Sequence, residues 1–271
     1  MGADGLKIGF IGCGKIGSAI IRGMVRSGLV PASCIAASDT AMEKPQELER
    51  ELGISAAVDN TSLVKFSDIV FLAVKPVNIA PVLKETSEYL SGKVVVSIAA
   101  GWTTERLRAF LPQDARLLRA MPNTPLMVGQ GMTVLSLDGN LKEEESAFIK
   151  SIFSSLGKVE MLPEWLMDAA TGVSGSGPAY FYMFIGLLAG AGEAAGIPRE
   201  TALQMAAQTA LGAAKMVLDT GKSPQSLCNE VCSPGGTTIE AVASFEKDGL
   251  DKIIQRAVKK CIVKSRRLSK Q

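Results

Sequence analysis

The stretch GFIGCGKIGSAI, residues 9–20, restricts the fold more than any other part of the chain. It sets Gly12, Gly14 and Gly17 directly after a β-rich run and at the opening of a helical pattern. In that spacing the first glycine permits a tight turn. The second lets backbone approach a diphosphate, and the third lets helix and strand pack closely. The helix start then offers unpaired N–H groups and about half a positive charge to an anion. The same glycines fit a bare strand-to-helix turn, so the setting decides. Here the triplet lies in a βαβ unit with Asp39 after the second strand, the pattern of a dinucleotide site. A carboxylate there hydrogen-bonds a ribose 2′-hydroxyl and repels a 2′-phosphate, which taken alone favours NAD over NADP. Ser38 and Thr40 flank it, and Lys44 lies close enough in sequence to soften the repulsion. Asp39 also fits a loop residue or the N-cap of the next helix.

Two grammars divide the chain. Up to Pro163, short runs rich in Val and Ile alternate with amphipathic stretches: KIGFIG, a helix over Lys15 to Ser27, CIAASD, a helix over Met42 to Leu52, DIVFLAVK, a helix to Leu90, and VVVSIAA. Further strands are expected at RLLRAMP, GMTVLSL and KVEML. Strands apolar on both faces suit a parallel sheet covered by helices, so the expectation for residues 1–163 is an α/β domain with a doubly wound, mainly parallel sheet. Residues 164–271 read as an all-α domain, with helices over 179–196, 199–221 and 250–271. Several are apolar round most of their circumference, and such a helix must be enclosed. A second copy of the chain is expected to complete the core. TGKSP and AGIPRE read as helix punctuation, with glycine at a C-cap and proline at the next start.

Composition removes whole classes of chemistry. No histidine occurs among the 271 residues, which excludes Ser-His-Asp and Cys-His designs. A formal charge of +2 gives no electrostatic case for nucleic acid. The five cysteines, with no basic-then-apolar leader before them, fit free thiols in a reducing cytoplasm. Cys228 and Cys232 stand one helical turn apart, yet without histidine or a second pair they make a poor metal site, and no metal is expected. Residues 169–192 carry no charge, but the continuous apolar part is too short for a bilayer.

AVKP (73–76) and AAG (99–101) close two strands, and in doubly wound sheets the ligand lies across such carboxyl ends. Lys75 is open between a general acid and a simple exit from the strand. These motifs, with MPNTP (121–125), TGVSGSGPAY (171–180) and SPGGTTIEAV (233–242), resemble those of the pyrroline-5-carboxylate reductases in collinear order over essentially the full length. The resemblance implies an N-terminal Rossmann domain, a C-terminal dimerisation domain that interlocks with its mate, and dimers that often assemble into decamers. It implies hydride transfer from NADPH, with NADH also usable, to the C=N carbon of 1-pyrroline-5-carboxylate, giving L-proline. By the same resemblance the phosphate loop is Ile11, Gly12, Cys13, Gly14, Lys15 and Ile16, followed by Gly17. Asn60 lies near the adenosine, Val74 and Lys75 border the nicotinamide side, and Ala100 follows; apart from the resemblance, Ser38 and Asp39 after the second strand, and Ala73, Pro76, Ala99 and Gly101 at the strand ends, are expected to face the cofactor. Glu164 and Ser233, Gly235, Gly236, Thr237 and Thr238 match the substrate site. The Thr238 hydroxyl matches the one that meets the substrate nitrogen. The chain departs from the family pattern at Asp39, where NADPH users often carry serine or a basic neighbour, and at Glu230, where some relatives have asparagine.

SPGGTTIE feeds a helix, and Thr237 with Glu240 has capping-box spacing. Two adjacent glycines there are expected to expose consecutive N–H groups to the substrate carboxylate at the positive end of a helix. The bland alternative is a well-capped helix start. A cyclic imine can bind as its iminium ion, so no imidazole is required. SGSGP fits either a linker closing on Pro178 or a turn packed against the partner's substrate loop. Glu164 fits either a solvated acid or a contact to the substrate nitrogen, and Asn123 a bond to cofactor or to backbone. Rival functions are a β-hydroxyacid-type dehydrogenase, for which Lys215 is the one lysine well inside the apolar helices, and a non-catalytic NAD(P) sensor.

Overall fold

In the computed structural model, which describes residues 5–269, the first elements run β1 (Ile8–Ile11), α1 (Lys15–Arg26), β2 (Ile35–Ser38), α2 (Glu43–Leu52), β3 (Ser55–Ala56), α3 (Asn60–Phe66) and β4 (Ile69–Leu72). Then come α4 (Ile79–Thr86), β5 (Val94–Ser97), α5 (Thr104–Arg108), β6 (Arg116–Met121), β7 (Gly131–Ser136), α6 (Glu143–Ser154) and β8 (Gly157–Leu162). Helices follow: α7 (Met167–Ala170), α8 (Gly177–Ala194), α9 (Arg199–Thr220), α10 (Pro224–Val231), α11 (Thr237–Lys247) and α12 (Leu250–Ser269). The expected last helix extends to Lys270 and Gln271, which lie outside the described residues, as do residues 1–4 of the expected first domain.

The strands form one sheet in the order β3-β2-β1-β4-β5-β6-β7-β8. Every pairing is parallel except β6 with β7. The link between those two holds only a short 3-10 turn, Thr124–Val128, too little chain for the crossover that parallel neighbours need. The first six strands therefore have the doubly wound order, and the order reverses between β1 and β4, where such sheets open a ligand crevice. Both faces of the sheet are covered. Ile69 and Phe71 point into one buried cluster, and Val70 and Leu72 into the other. Phe10 and Phe71 stack across β1 and β4, with centroids 4.5 Å apart and planes within 8°.

By compactness the chain divides into one unit through Ser176 plus the segment from Cys261, and a second from Gly177 to Lys260. The change of sequence grammar at Pro163 precedes this division because the next segment belongs to the first unit. Met167 and Ala170 are buried with Met121 and Val134. Of the two readings of SGSGP, the linker does not hold: Thr171–Gly175 is a π turn between α7 and α8, closed by the Ser176 N–H on the Thr171 carbonyl. Pro178 has no N–H to give the Ser174 carbonyl, and the Asn123 side chain supplies that donor at 3.0 Å.

In the second unit α8 and α9 meet through small residues, Ala189, Ala202 and Ala206, backed by Ile185 and Ile197. Glycine ends α9 in the left-handed conformation at Gly221, and proline opens α10 at Pro224. Phe181, Tyr182, Met183, Leu187 and Leu188 of α8 and Leu203, Met205, Leu211 and Leu218 of α9 are exposed, so both helices present apolar side chains to water, although α9 also keeps a polar stripe through Glu200, Gln204, Gln208, Lys215 and Asp219. Among the described residues no helix is long and apolar enough to cross a membrane.

The Phe10–Phe71 stack lies at the centre of the sheet, directly below the crevice. Phe71→Ala is expected to lower the stability of the fold by about 3–5 kcal/mol, read from urea unfolding, because the cavity is walled by strands that cannot collapse inward.

Candidate functional site

The turn from β1 to α1 shows why each glycine stands where it does. Gly12 has φ +105°, and a Cβ there would lie 2.7 Å from the Ala73 carbonyl at the end of β4. At Gly17 a Cβ would lie 2.4 Å from the Gly12 carbonyl oxygen. A Cβ on Gly14 would meet nothing within 4 Å, so this position opens onto free space at the helix start. The crevice beside it has a volume of about 440 Å³ and is lined by Ile11, Gly12, Gly14, Asp39, Asn60, Ala73, Val74 and Lys75, all expected from sequence. Thr40, Lys44, Asn78, Pro81, Val82 and Glu85 complete the lining. A glycine turn open at Gly14, at a helix N-terminus and at the switch point of the sheet, fits a dinucleotide diphosphate.

Hydrogen bonds hold the far wall. The Ser38 hydroxyl donates to Asn60 Oδ1 at 2.8 Å, and Asn60 Nδ2 donates to Glu85 Oε2 at 3.0 Å. Asn60 reaches this position because it is the first residue of α3, capped by Asp59 through the Ser62 N–H. Asp39 is turned onto the glycine loop. Its Oδ2 accepts the Cys13 N–H at 2.8 Å, and its Oδ1 accepts the Ala41 N–H at 3.0 Å and Lys44 Nζ at 3.2 Å. It is not a helix N-cap, since α2 is preceded by Met42. Burial works against its charge, but the bonds from Ala41, Cys13 and Lys44 outweigh that and hold its carboxyl below the usual range. Burial first, and the Asp39 charge second, push the Cys13 thiol up to about 12. Cys13 therefore stays protonated at neutral pH, a loop-packing residue and not a nucleophile.

The other expected cofactor residues do not line this crevice. Lys15 is exposed at the start of α1, Ile16 packs on the core beneath it, and Ser38 is buried below Asn60. Ala99 is buried, and Ala100 packs beside Met121. A Cβ on Gly101, at φ +73°, would strike Leu268 Cβ at 2.7 Å. Pro76 offers its carbonyl to Trp102 Nε1 at 2.8 Å, which ties the loop after β4 to the loop after β5. Of the two readings of Asn123, the structure has the backbone one: Oδ1 accepts the Met132 N–H at 2.9 Å while Nδ2 serves Ser174. Lys75 is exposed and its carbonyl closes the 3-10 turn Pro76–Asn78, so Lys-Pro does lead the chain out of β4.

Glu164 is partly exposed, but its carboxylate is not free. Its Oε1 accepts Arg119 Nη1 at 2.6 Å and the Thr104 N–H at 3.2 Å, and its Oε2 accepts the Thr104 hydroxyl at 3.0 Å. Arg119 is only 1% exposed, and its Nε and Nη2 have no hydrogen-bond partner. This part-buried pair is invisible in RLLRAMP, where Arg119 sits among apolar residues with nothing to mark its partner.

In the second unit the turn before α11 is built differently from the expectation. The N-cap of α11 is Gly236, which leaves Thr237 as the first helical residue and removes the Thr237–Glu240 capping box. The Gly236 N–H is not free for an anion, because it donates to the Ser233 carbonyl at 3.0 Å. Gly235 supplies the left-handed step at φ +73°, and a Cβ on Gly236 would lie 2.5 Å from the Ser233 hydroxyl oxygen. The first turn of α11, beginning at Thr237, adds N–H groups that have no intrahelical acceptor. Glu230 pairs with Lys222 at 2.9 Å, and Lys215 is 71% exposed in a pair with Asp219. Among the described residues no group of three or more His, Cys, Asp or Glu side chains could hold a metal ion.

Sheet order, glycine turn and crevice together define a dinucleotide-dependent oxidoreductase of the Rossmann type. A family model described as NADP oxidoreductase coenzyme F420-dependent matches residues 7–101, and one described as pyrroline-5-carboxylate reductase dimerisation matches residues 164–268. Pyrroline-5-carboxylate reductase of Escherichia coli is 43% identical over 97% of this chain and 98% of its own. The Arabidopsis thaliana enzyme is 41% identical over 98% and 97%. Among solved structures, the Plasmodium falciparum pyrroline carboxylate reductase with NADP bound superposes with a TM-score of 0.89 at 30% identity, covering 98% of both chains. The Coxiella burnetii pyrroline-5-carboxylate reductase gives 0.90 at 32%, covering 98% of this chain and 99% of that one. The chain belongs to the pyrroline-5-carboxylate reductase family. It is an oxidoreductase that uses NAD(P)H.

Two glycines separate fold from binding. Gly14→Ala is expected to keep stability within about 1 kcal/mol while lowering dinucleotide affinity about tenfold or more, because the new methyl fills the space a diphosphate needs. Gly12→Ala is expected to cost the fold about 2 kcal/mol or more, because the methyl meets the Ala73 carbonyl in a left-handed residue. Thermal unfolding and titration with NADP+ read the two effects apart.

Proposed function

We propose that this chain reduces 1-pyrroline-5-carboxylate to L-proline in the cytoplasm, as a homo-oligomer whose working unit is a dimer. When bound, NAD(P)H supplies the hydride that adds to the imine carbon. The π electrons of the C=N bond pass to nitrogen, which already carries its proton if the substrate enters as the iminium ion. No residue need then act as an imidazole would, in keeping with a chain that has no histidine.

The observation that carries the substrate assignment is the Ser233–Gly236 turn. By closing on itself it starts α11 at Thr237, an 11-residue helix whose first N–H groups have no intrahelical acceptor. The substrate carboxylate binds there, with Ser233, Gly235 and Gly236 shaping the turn and the Thr237 backbone among the donors. The Thr238 hydroxyl orients the ring nitrogen, accepting from an iminium or donating to a neutral imine. Ile11, Gly12, Gly14, Asp39, Asn60, Ala73, Val74 and Lys75 form the dinucleotide crevice, and Cys13, Ile16, Gly17 and Ser38 hold it from below. Ala99, Ala100 and Gly101 belong to the nicotinamide side. Glu164 acts as a positioning residue, fixing the start of α5 through Thr104 while it neutralises Arg119. The bare faces of α8 and α9 support a partner copy, and association of dimers into decamers is the further state that the family resemblance implies.

Mixing the protein with NADPH and 1-pyrroline-5-carboxylate is expected to consume the reduced cofactor, followed by its absorbance. No oxidation would overturn the assignment and favour a sensor. Thr238→Ala is expected to lower kcat/KM by about tenfold to a hundredfold, the loss of one hydrogen bond to a charged group, with NADP+ affinity unchanged. Unaltered kinetics in that variant would remove Thr238 from the mechanism. Light scattering at micromolar concentration is expected to give a dimer or larger; a stable monomer would remove the partner copy.

A further inference from the structure

We propose that Lys44, and not Asp39, sets the choice between the phosphorylated and unphosphorylated dinucleotide: its ammonium receives the 2′-phosphate, while Asp39 is a fixed support of the glycine loop. The inference rests on the dinucleotide reading of the crevice.

A carboxylate that reads a ribose must offer its oxygens to the ligand. Those of Asp39 are committed to the chain's own donors, Oδ2 to the Cys13 N–H at 2.8 Å and Oδ1 to the Ala41 N–H at 3.0 Å and to Lys44 Nζ at 3.2 Å. Its side chain is 11% exposed, against 45% for Lys44. The residue thus lines the crevice with its oxygens already engaged and braces the backbone between Gly12 and Gly14. Moving it out to a ribose hydroxyl would strand the Cys13 N–H in the turn that the cofactor requires.

Lys44 has the opposite character. It is the second residue of α2, it lines the crevice beside Thr40, and its ammonium ends a flexible stem on an exposed ion pair, which holds it only weakly. A 2′-phosphate carries more negative charge than one carboxylate and offers more acceptor oxygens, so the ammonium turns from Asp39 to the phosphate when that group is present. Two hydrogen bonds from Cys13 and Ala41 remain on Asp39 and keep its charge stabilised after Lys44 turns away. The rule that an acid after the second strand selects against a 2′-phosphate applies to an outward-facing acid. In this chain the oxygens of the acid are held by Cys13, Ala41 and Lys44, and the cation lines the crevice beside it.

Calorimetric titration of NADP+ and of NAD+ onto the full-length protein tests this without turnover. Lys44→Ala is expected to weaken NADP+ about tenfold or more and to leave NAD+ within about twofold, with the NADP+ loss shrinking as salt rises. Lys44→Arg is expected to retain NADP+ binding. Asp39→Asn is expected to weaken both dinucleotides alike, since an amide cannot accept at both oxygen positions and the loop loses a support. An unchanged NADP+ to NAD+ ratio in Lys44→Ala, or a selective gain of NADP+ affinity in Asp39→Asn, would overturn the proposal while leaving the crevice reading intact. A wild-type protein that binds neither dinucleotide would overturn the crevice reading itself. Thermal unfolding of the same samples separates either result from misfolding.

Discussion

The hydrogen bond from the Cys13 N–H to the Asp39 carboxylate joins the ends of β1 and β2 across the mouth of the sheet. Around it the rest of the site is arranged. It braces the loop in which Gly12 approaches the Ala73 carbonyl, where strand order reverses between β1 and β4. It also makes burial of a negative charge tolerable, because the charge is shared with backbone donors and one lysine. The cost shows in the neighbouring thiol, which the same burial and the same charge make far less acidic. One largely covered carboxylate thus supports the loop, keeps a cysteine unreactive, and leaves beside it in the crevice a lysine that is free to turn.

Much of this fold could be read from residue order alone, and the parts that could not have identifiable causes. Strands such as IVFL and VVVS are apolar at every position because both faces of the sheet are covered, and that pattern is unmistakable. β3 is two residues long and has no room for a pattern. The capping box at Thr237 failed because the turn closes through backbone at Gly236, one residue earlier than a side-chain cap would have it. Spacing alone could not distinguish the two, since a glycine cap leaves no side-chain signature.

The site was legible where backbone geometry demands a residue type and obscure where side chains meet across distant sequence. Gly12, Gly14 and Gly17 announce a turn, and AVKP announces the end of a strand. Glu85 joins the crevice from α4, and Asn60 links it to Ser38, a relay through three elements. Arg119 and Glu164 are separated by 45 positions, and neither has a local partner that would suggest the other. The direction of the Asp39 carboxylate is the clearest such case. Its place after β2 was evident, but whether it faces ligand or loop depends on the Cys13 N–H, and no spacing rule carries that information.

The exposed aromatic and aliphatic faces of α8 and α9 have a thermodynamic meaning beyond geometry. Where a helix presents a broad apolar face to water, covering it by another copy becomes part of the folding free energy itself. Dilution then acts as a denaturant, and the heat resistance of this half of the chain rises with its own concentration.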